Sequence, residues 1–459
     1  MNICKPERAG NSSERRLPAG NRMYLMHELA RHGLGLVDLS IAASTAAGRL
    51  TIKTAERFGV RTPITEETTR RLGALAEMSH RIAREYPKPE YGLKTTEING
   101  EQVPVREVVV EKRAFGDLLR FERQTDRHDP PVLLVAPMSG HYSTLLRDTV
   151  RQLLPSHDVY ITDWKNARDV PLEAGNFDLD TYIDYMIDFI KKLGPDTNVI
   201  AVCQATVPSL AAISYLAEHE PNSQPLTMTL MGGPLDVGAA ATSVTDFANR
   251  TSIDLIKRSW ITTVPGNYEG RGRQVYPGYI QLQNFMSMNR QRHVDAHLKL
   301  FRLLAEGGTN PESAKEAQKI KDFYDEYFAV ADLSADFYLQ TIQRVFKERQ
   351  LARGTMRFRD ELLRPTAITR TGLLTVEGSE DDISAPGQTL AVHQHLTSLD
   401  PKKQFHYTQE GAGHYGIFNG KAWGSEIAPR ISGFIRQMAN EEGIAYDEPA
   451  AKLITPTRL

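Results

Sequence analysis

Apolar positions along this chain change period as it proceeds. From Thr68 to Tyr86, Leu72, Leu75, Met78 and Ile82 recur at three- and four-residue spacing. That is the stripe of an amphipathic helix, which Pro87, Pro89 and Gly92 end. Tyr24 to Phe58 mixes Leu, Met, Ile and Ala with scattered Arg and His and also reads as helical. Beyond residue 100 the pattern shortens to strands. Val103–Glu111 and Leu118–Arg123 carry β-branched and apolar runs, followed by Pro131–Pro137, His157–Trp164, Asn198–Val202, Leu226–Met231, Leu373–Glu377 and Gln404–Thr408. Short, fully apolar runs are what strands buried on both faces need. Helical stretches lie at Asp180–Leu193, with Asp180 as its cap, at Val207–Glu218, Gly387–Leu399 and Trp423–Glu442. Alternating strands and helices predict an α/β fold: a mostly parallel, doubly wound sheet with helices on both faces.

The alternation stops between about 239 and 360. This stretch reads as helices and loops, is too long for a plain connection, and holds many aromatics, among them Trp260, Tyr276, Phe285, Tyr327 and Tyr338. Those rings could be the core of a helical subdomain, and a few could line a groove if that subdomain caps a site. The organisation expected is a polar tail at 1–22, a helical region at 23–100, a first core part at 101–238, an inserted helical cap at 239–360, and a second core part with the C-terminal tail at 361–459.

Composition narrows the classes. The 459 residues are 41% hydrophobic and 24% charged with a formal net charge of -2, which is globular and gives no broad drive toward nucleic acid. The two cysteines, Cys4 and Cys203, cannot make a disulfide framework and fit a reducing compartment. Residues 1–22 have no apolar core like that of a secretory signal. Val199 to Ala217 carries no charge, but Gln204, Thr206, Pro208, Ser209 and Ser214 interrupt it, so it reads as a buried strand and helix rather than a membrane span. No glycine-rich phosphate loop or dinucleotide fingerprint is present, and His393 and His395, two apart on an expected helix, face different ways and make no metal pair. Neither a cofactor nor a metal is expected.

Three segments carry candidate chemistry. After the strand Asn198–Val202 comes Cys203, with Ala201 and Ala205 two residues either side, then a helix. A nucleophile on a sharp strand-to-helix turn needs small residues at those positions, and a helix N-terminus favours thiolate. A lone cysteine in an apolar run is also a common core residue. After Leu373–Glu377 comes Gly378-Ser379-Glu380-Asp381-Asp382. Gly-x-x-Asp picks Asp381, with Asp382, Glu380 and Glu377 as neighbouring alternatives. After the last strand, Gly411-Ala412-Gly413-His414-Tyr415-Gly416 offers a histidine flanked by glycines, which let a loop approach another backbone closely. Nucleophile, acid, histidine is the chain order of α/β hydrolases. In that fold the loop after the third strand, here Ala136-Pro137-Met138-Ser139-Gly140, supplies one oxyanion N–H and the residue after the nucleophile the other. By position these are Met138 and Gln204.

Several long segments in order then carry a resemblance: LLVAPMSGHYSTLLRDTV, LLPSHDVYITDWKNARDVPLEAGNFDLDTYIDY, AVCQATVPSLAAIS, LMGGPLD, FYDEYFAVADLSADFYLQTI, LLTVEGSEDDISAPGQT and GAGHYGIF. Over residues 23 to 438 the chain resembles the bacterial intracellular polyhydroxyalkanoate (polyhydroxybutyrate) depolymerases. The resemblance implies an α/β-hydrolase fold with a cap, and a Cys-Asp-His triad that matches Cys203, Asp381 and His414. Relatives often read Cys-Gln-Pro-Thr where this chain has Ala205. It further implies a cytoplasmic enzyme acting on amorphous, short-side-chain poly(3-hydroxybutyrate) at storage granules. The acyl-cysteine it implies would pass its acyl group to water or to coenzyme A, since thioester exchange is close to even. A polyester synthase is the nearest rival, although Ala201 and Ala205-Thr206 depart from the Gly-x-Cys-x-Gly-Gly usual there. A non-catalytic granule protein on the same scaffold is the second.

Overall fold

A computed structural model describes residues 24, 26–30, 63–288, 290–306, 310–394 and 398–459. The tail at 1–22, most of the helix expected across Tyr24–Phe58, and His395 lie outside the described residues; Tyr24 and residues 26–30 are helical.

Seven strands come first: β1 (Thr95–Ile98), β2 (Glu101–Glu111), β3 (Gly116–Arg123), β4 (Pro131–Val135), β5 (Asp158–Trp164), β6 (Asn198–Val202) and β7 (Thr227–Met231). An insertion follows with β8 (Thr262–Thr263), β9 (Gln274–Tyr276), β10 (Leu333–Ser334), β11 (Arg357–Phe358) and β12 (Glu361–Leu362). The chain then returns to the main sheet with β13 (Gly372–Gly378) and β14 (Gln404–Gln409). The main sheet has nine strands in the order β1-β2-β3-β5-β4-β6-β7-β13-β14. β3 runs antiparallel to both β2 and β5, and the pairs from β5 through β14 are parallel. Without β1, this is an eight-strand sheet in which the second strand is antiparallel and the third and fourth exchange places, the α/β-hydrolase arrangement. Every residue of β6, β7 and β13 is buried, because helices cover both faces. Leu179–Leu193 and Thr206–His219 pack together on one side; Arg147–Leu153 and Ala428–Glu441 pack together on the other.

Three expectations change. The helix expected from Asp180 starts at Leu179, and its cap is Asp178, whose carboxylate accepts the Thr181 N–H at 2.8 Å. Asp180 sits inside the first turn and pairs with Arg344 at 2.7 Å. The stretch Gly387–Leu399 holds only a short 3-10 turn, Leu390–Gln394, among its described residues. The buried Glu377 carboxylate accepts the N–H groups of Gly387, Thr389 and Leu390 at 2.8–3.0 Å and anchors the start of that turn. The insertion is not purely helical, since β8, β9 and β10 form a three-stranded sheet whose strands are too short to show a period. β1 was also missed. It pairs with β2 across Asn99-Gly100, both at positive φ, 52° and 86°. An Asn-Gly pair is the favoured two-residue hairpin turn.

Val199–Ala217 forms the buried strand β6 and the buried start of the next helix, and among the described residues no helix is long and apolar enough to cross a membrane. The corrected cap is testable: Asp178→Ala is expected to cost about 1 kcal/mol in urea unfolding, the usual worth of an N-cap side chain.

Candidate active site

Cys203 sits between β6 and the helix Thr206–His219 with φ of +56°. A left-handed conformation at a non-glycine residue is a strained one, and here it turns the side chain out of the strand at the sheet's C-terminal edge. The turn needs close packing. Ala201 and Ala205 are fully buried, and the Thr206 hydroxyl donates to the Cys203 carbonyl at 2.8 Å. A Cβ on Gly233 would stand 1.9 Å from that same hydroxyl oxygen, so only glycine fits there.

β13 ends one parallel register away from β14, and the loops after the two strands meet. A Cβ on Gly378 would lie 2.4 Å from the Ala412 carbonyl oxygen, so the glycine lets the two loops touch. Asp381 and His414 are joined there: His414 Nδ1 lies 2.7 Å from Asp381 Oδ2, with both side chains at 5% exposure or less. The other Asp381 oxygen accepts the Ile383 and Ser384 N–H groups at 2.9 and 2.8 Å, which locks the carboxylate. Of the neighbouring acids, Glu380 and Asp382 are exposed, and Glu377 faces its own loop. Geometry therefore brings Asp381, and none of these three, to His414.

Cys203 stands close enough to His414 to act on its charge. Burial disfavours the charged ring, but the neighbouring Cys203 and the bond to Asp381 outweigh that penalty and raise it to about 10. The three residues, taken from separate loops, thus meet at one place.

Met138 and Gln204 also come together. The Ala136 carbonyl accepts from Trp164 Nε1 at 2.8 Å and from the Tyr182 hydroxyl at 3.0 Å, and the Ala136 N–H donates to Thr162 Oγ1 at 2.9 Å. Pro137 has no N–H. Met138 carries the next donor, and it bonds the Gln204 side-chain oxygen at 3.1 Å. The Gln204 N–H opens the helical turn, where no intrahelical acceptor exists.

The insertion meets this loop directly. Ala331 N–H donates to the Gly140 carbonyl at 2.7 Å, and His141 Nε2 lies 3.1 Å from the Tyr327 carbonyl. Burial pushes His141 down to about 4, so its ring is neutral at pH 7 and Nε2 carries the proton. Tyr415 stands edge-on to His414, with ring centroids 5.8 Å apart. Burial, then Tyr327 and Cys203, raise its phenol, which stays protonated beside the thiol. Among the described residues no cluster of three or more His, Cys, Asp or Glu could hold a metal ion.

Sequence reasoning missed Gly232. Its φ is +52°, and a Cβ there would stand 2.7 Å from Ile417 Cδ1, 3.3 Å from Asp381 Oδ2 and 3.4 Å from His414 Cε1. The Gly-Gly pair closing β7 was the available signal. Tyr182 and His141, which hold the Met138 loop from two sides, gave no sequence signal.

Residues 232–439 match the family described as "PHB de-polymerase C-terminus". The matched part holds the insertion and the end of the core, under half of the chain. No match was found among curated proteins. Solved structures similar to this chain include 2-hydroxy-6-oxo-6-phenylhexa-2,4-dienoate hydrolase from Rhodococcus sp. strain RHA1, with 12% identity, 73% of this chain and 99% of that one covered, and a TM-score of 0.38. Monoacylglycerol lipase of Paleococcus ferrophilus gives 13%, 73%, 99% and 0.38. A meta-cleavage product hydrolase of Pseudomonas fluorescens IP01 gives 14%, 76%, 98% and 0.33. The sheet order, not these likenesses, carries the fold.

Two outcomes are expected. In Cys203→Ala, His414 should titrate at lower pH than in the unmodified protein, because the charge that raises it is gone; NMR titration of the ring checks this. Gly232→Ala should lower esterase kcat at least ~10-fold by pushing Asp381 and His414 apart, since small misplacements of reacting groups are costly.

Proposed function

We propose that this protein is an intracellular depolymerase that hydrolyses ester bonds of short-side-chain poly(3-hydroxybutyrate) at cytoplasmic storage granules. The observation that carries this reading is the buried His414–Asp381 pair beside the half-buried Cys203, set on a chain whose later part matches the PHB depolymerase family.

The chemistry follows from the charges. Cys203 Sγ attacks the ester carbonyl carbon, and the carbonyl oxygen becomes an alkoxide held by the N–H groups of Met138 and Gln204. A donor aimed at such an oxygen is worth about 3 kcal/mol of barrier. The alkoxide collapses, the carbon–oxygen ester bond breaks, and His414 gives its proton to the departing alcohol of the polymer. An acyl thioester remains on Cys203. Acylation removes the negative charge that raised His414, so its affinity for a proton falls and the neutral ring can take one from water. The hydroxide attacks the thioester, the carbon–sulfur bond breaks, and the acid is released as the thiol is restored. Asp381 keeps Nδ1 protonated throughout and steadies the imidazolium.

Release of 3-hydroxybutyrate from native amorphous granules tests the reading. Cys203→Ala should abolish it, and Cys203→Ser should lower it sharply. Asp381→Asn should cost roughly 10²–10⁴ in kcat through loss of the correct tautomer, whereas Asp382→Asn should change it less than about two-fold, as exposed substitutions usually do. Equal rates for the unmodified, Ser and Ala forms would overturn the triad. Soluble product appearing only when coenzyme A is added would overturn water as the acyl acceptor.

A further inference from the structure

The Met138 N–H is already engaged before any substrate is present. Its partner is the side-chain oxygen of Gln204, the residue directly after the nucleophile. Gln204 therefore occurs twice in the same small space: its backbone N–H opens the turn after Cys203, and its amide oxygen covers the opposing donor. We infer that the Gln204 side chain is a resident placeholder in the oxyanion hole, one that occupies the Met138 N–H until the substrate carbonyl displaces it. This rests on the catalytic reading above.

The local chain leaves Met138 little choice of acceptor. The Ala136 carbonyl already accepts from Trp164 and Tyr182, and the Gly140 carbonyl accepts from the Ala331 N–H. The site is closed, with Met138 at 6% and Gln204 at 9% exposure, so bulk water is a poor substitute. A buried N–H without an acceptor is costly, and a loop carrying one relaxes toward any acceptor within reach. The Gln204 amide supplies a neutral carbonyl oxygen of the same kind as the ester oxygen it would give way to. The two are therefore close competitors in the resting and substrate-bound states. The anionic oxygen of the tetrahedral intermediate is the stronger acceptor, since charge-assisted bonds are roughly twice as strong as neutral ones. Occupying the donor with a weak, displaceable partner lets the reacting oxygen win.

Gln204 thereby acts through Met138, as a positioning residue whose cost falls on substrate binding. Substitution by methionine keeps the side-chain volume and removes the strong acceptor. Exchange then costs the substrate one hydrogen bond less, so kcat/KM should rise about five-fold, the equivalent of one net hydrogen bond, with the gain carried by a lower KM. A fixed structural support would show the opposite split, with a lower kcat.

The experiment is the p-nitrophenol burst from p-nitrophenyl butyrate, comparing the unmodified protein with Gln204→Met. A rise in kcat/KM carried by KM supports the placeholder. A fall, or no change, overturns it while leaving the triad standing, provided the unmodified protein still gives the burst. No burst from the unmodified protein overturns the catalytic reading and this inference together. A second measurement needs no variant. A trifluoromethyl ketone that adds to Cys203 puts an oxyanion in the hole, and the Gln204 side-chain NH2 signal in ¹⁵N-labelled protein should then change position and gain mobility. A signal unmoved by the adduct overturns the inference.

Discussion

One buried imidazole governs this site. His414 lies at 5% exposure in a place where a charge is disfavoured, yet it is raised to about 10 because Asp381 and Cys203 flank it. A buried cation without partners would lose its proton, and a buried Asp381 without a donor would be equally costly. The charges tolerate burial only together, which ties three loops into one unit. Under the proposed mechanism the same coupling would give the histidine two roles, with a high proton affinity before acylation of Cys203 and a lower one after it.

The rest of the fold brings these groups within reach and fixes their aim. Parallel strands β6, β13 and β14 end on the same edge of the sheet, so a thiol, a carboxylate and an imidazole distant in sequence become neighbours. The approach is closer than ordinary residues allow. Gly233 admits the Thr206 hydroxyl that bonds the Cys203 carbonyl, Gly378 admits the Ala412 carbonyl, and Gly232 leaves room for Asp381 and His414. Glu377 fixes the loop behind Asp381 by accepting N–H groups from Gly387, Thr389 and Leu390. On the other side, the insertion grips the Met138 loop through Ala331 and Tyr327, so the donor loop and the covering segment are mechanically joined.

Much of this was legible in the sequence because burial on both faces writes continuous apolar runs, and β6, β7 and β13 are fully buried. The order cysteine, aspartate, histidine, each placed just after a strand, was legible for the same reason. What escaped notice was decided by particular contacts rather than by the apolar pattern. Asp178 rather than Asp180 caps its helix because backbone geometry two residues away decides which carboxylate reaches Thr181. The apolar content of Gly387–Leu399 suggested a helix, whereas the described part of that stretch holds a short turn anchored by Glu377, ten residues earlier. The short strands of the insertion have too few residues to display alternation. Gly-x-x-Asp picked Asp381 with Asp382 beside it as an alternative; burial and the bond to His414 separate the two.

In the proposed mechanism Cys203 forms a covalent bond to the acyl group during turnover. Acid-quenching the protein during steady-state cleavage of a 3-hydroxybutyrate oligomer, followed by peptide mass spectrometry, looks for that bond itself. A 3-hydroxybutyryl adduct is expected on the peptide containing Cys203, cleared by neutral hydroxylamine as a thioester should be. Turnover continuing with Cys203 free of acyl group, or with the adduct on another residue, would contradict it.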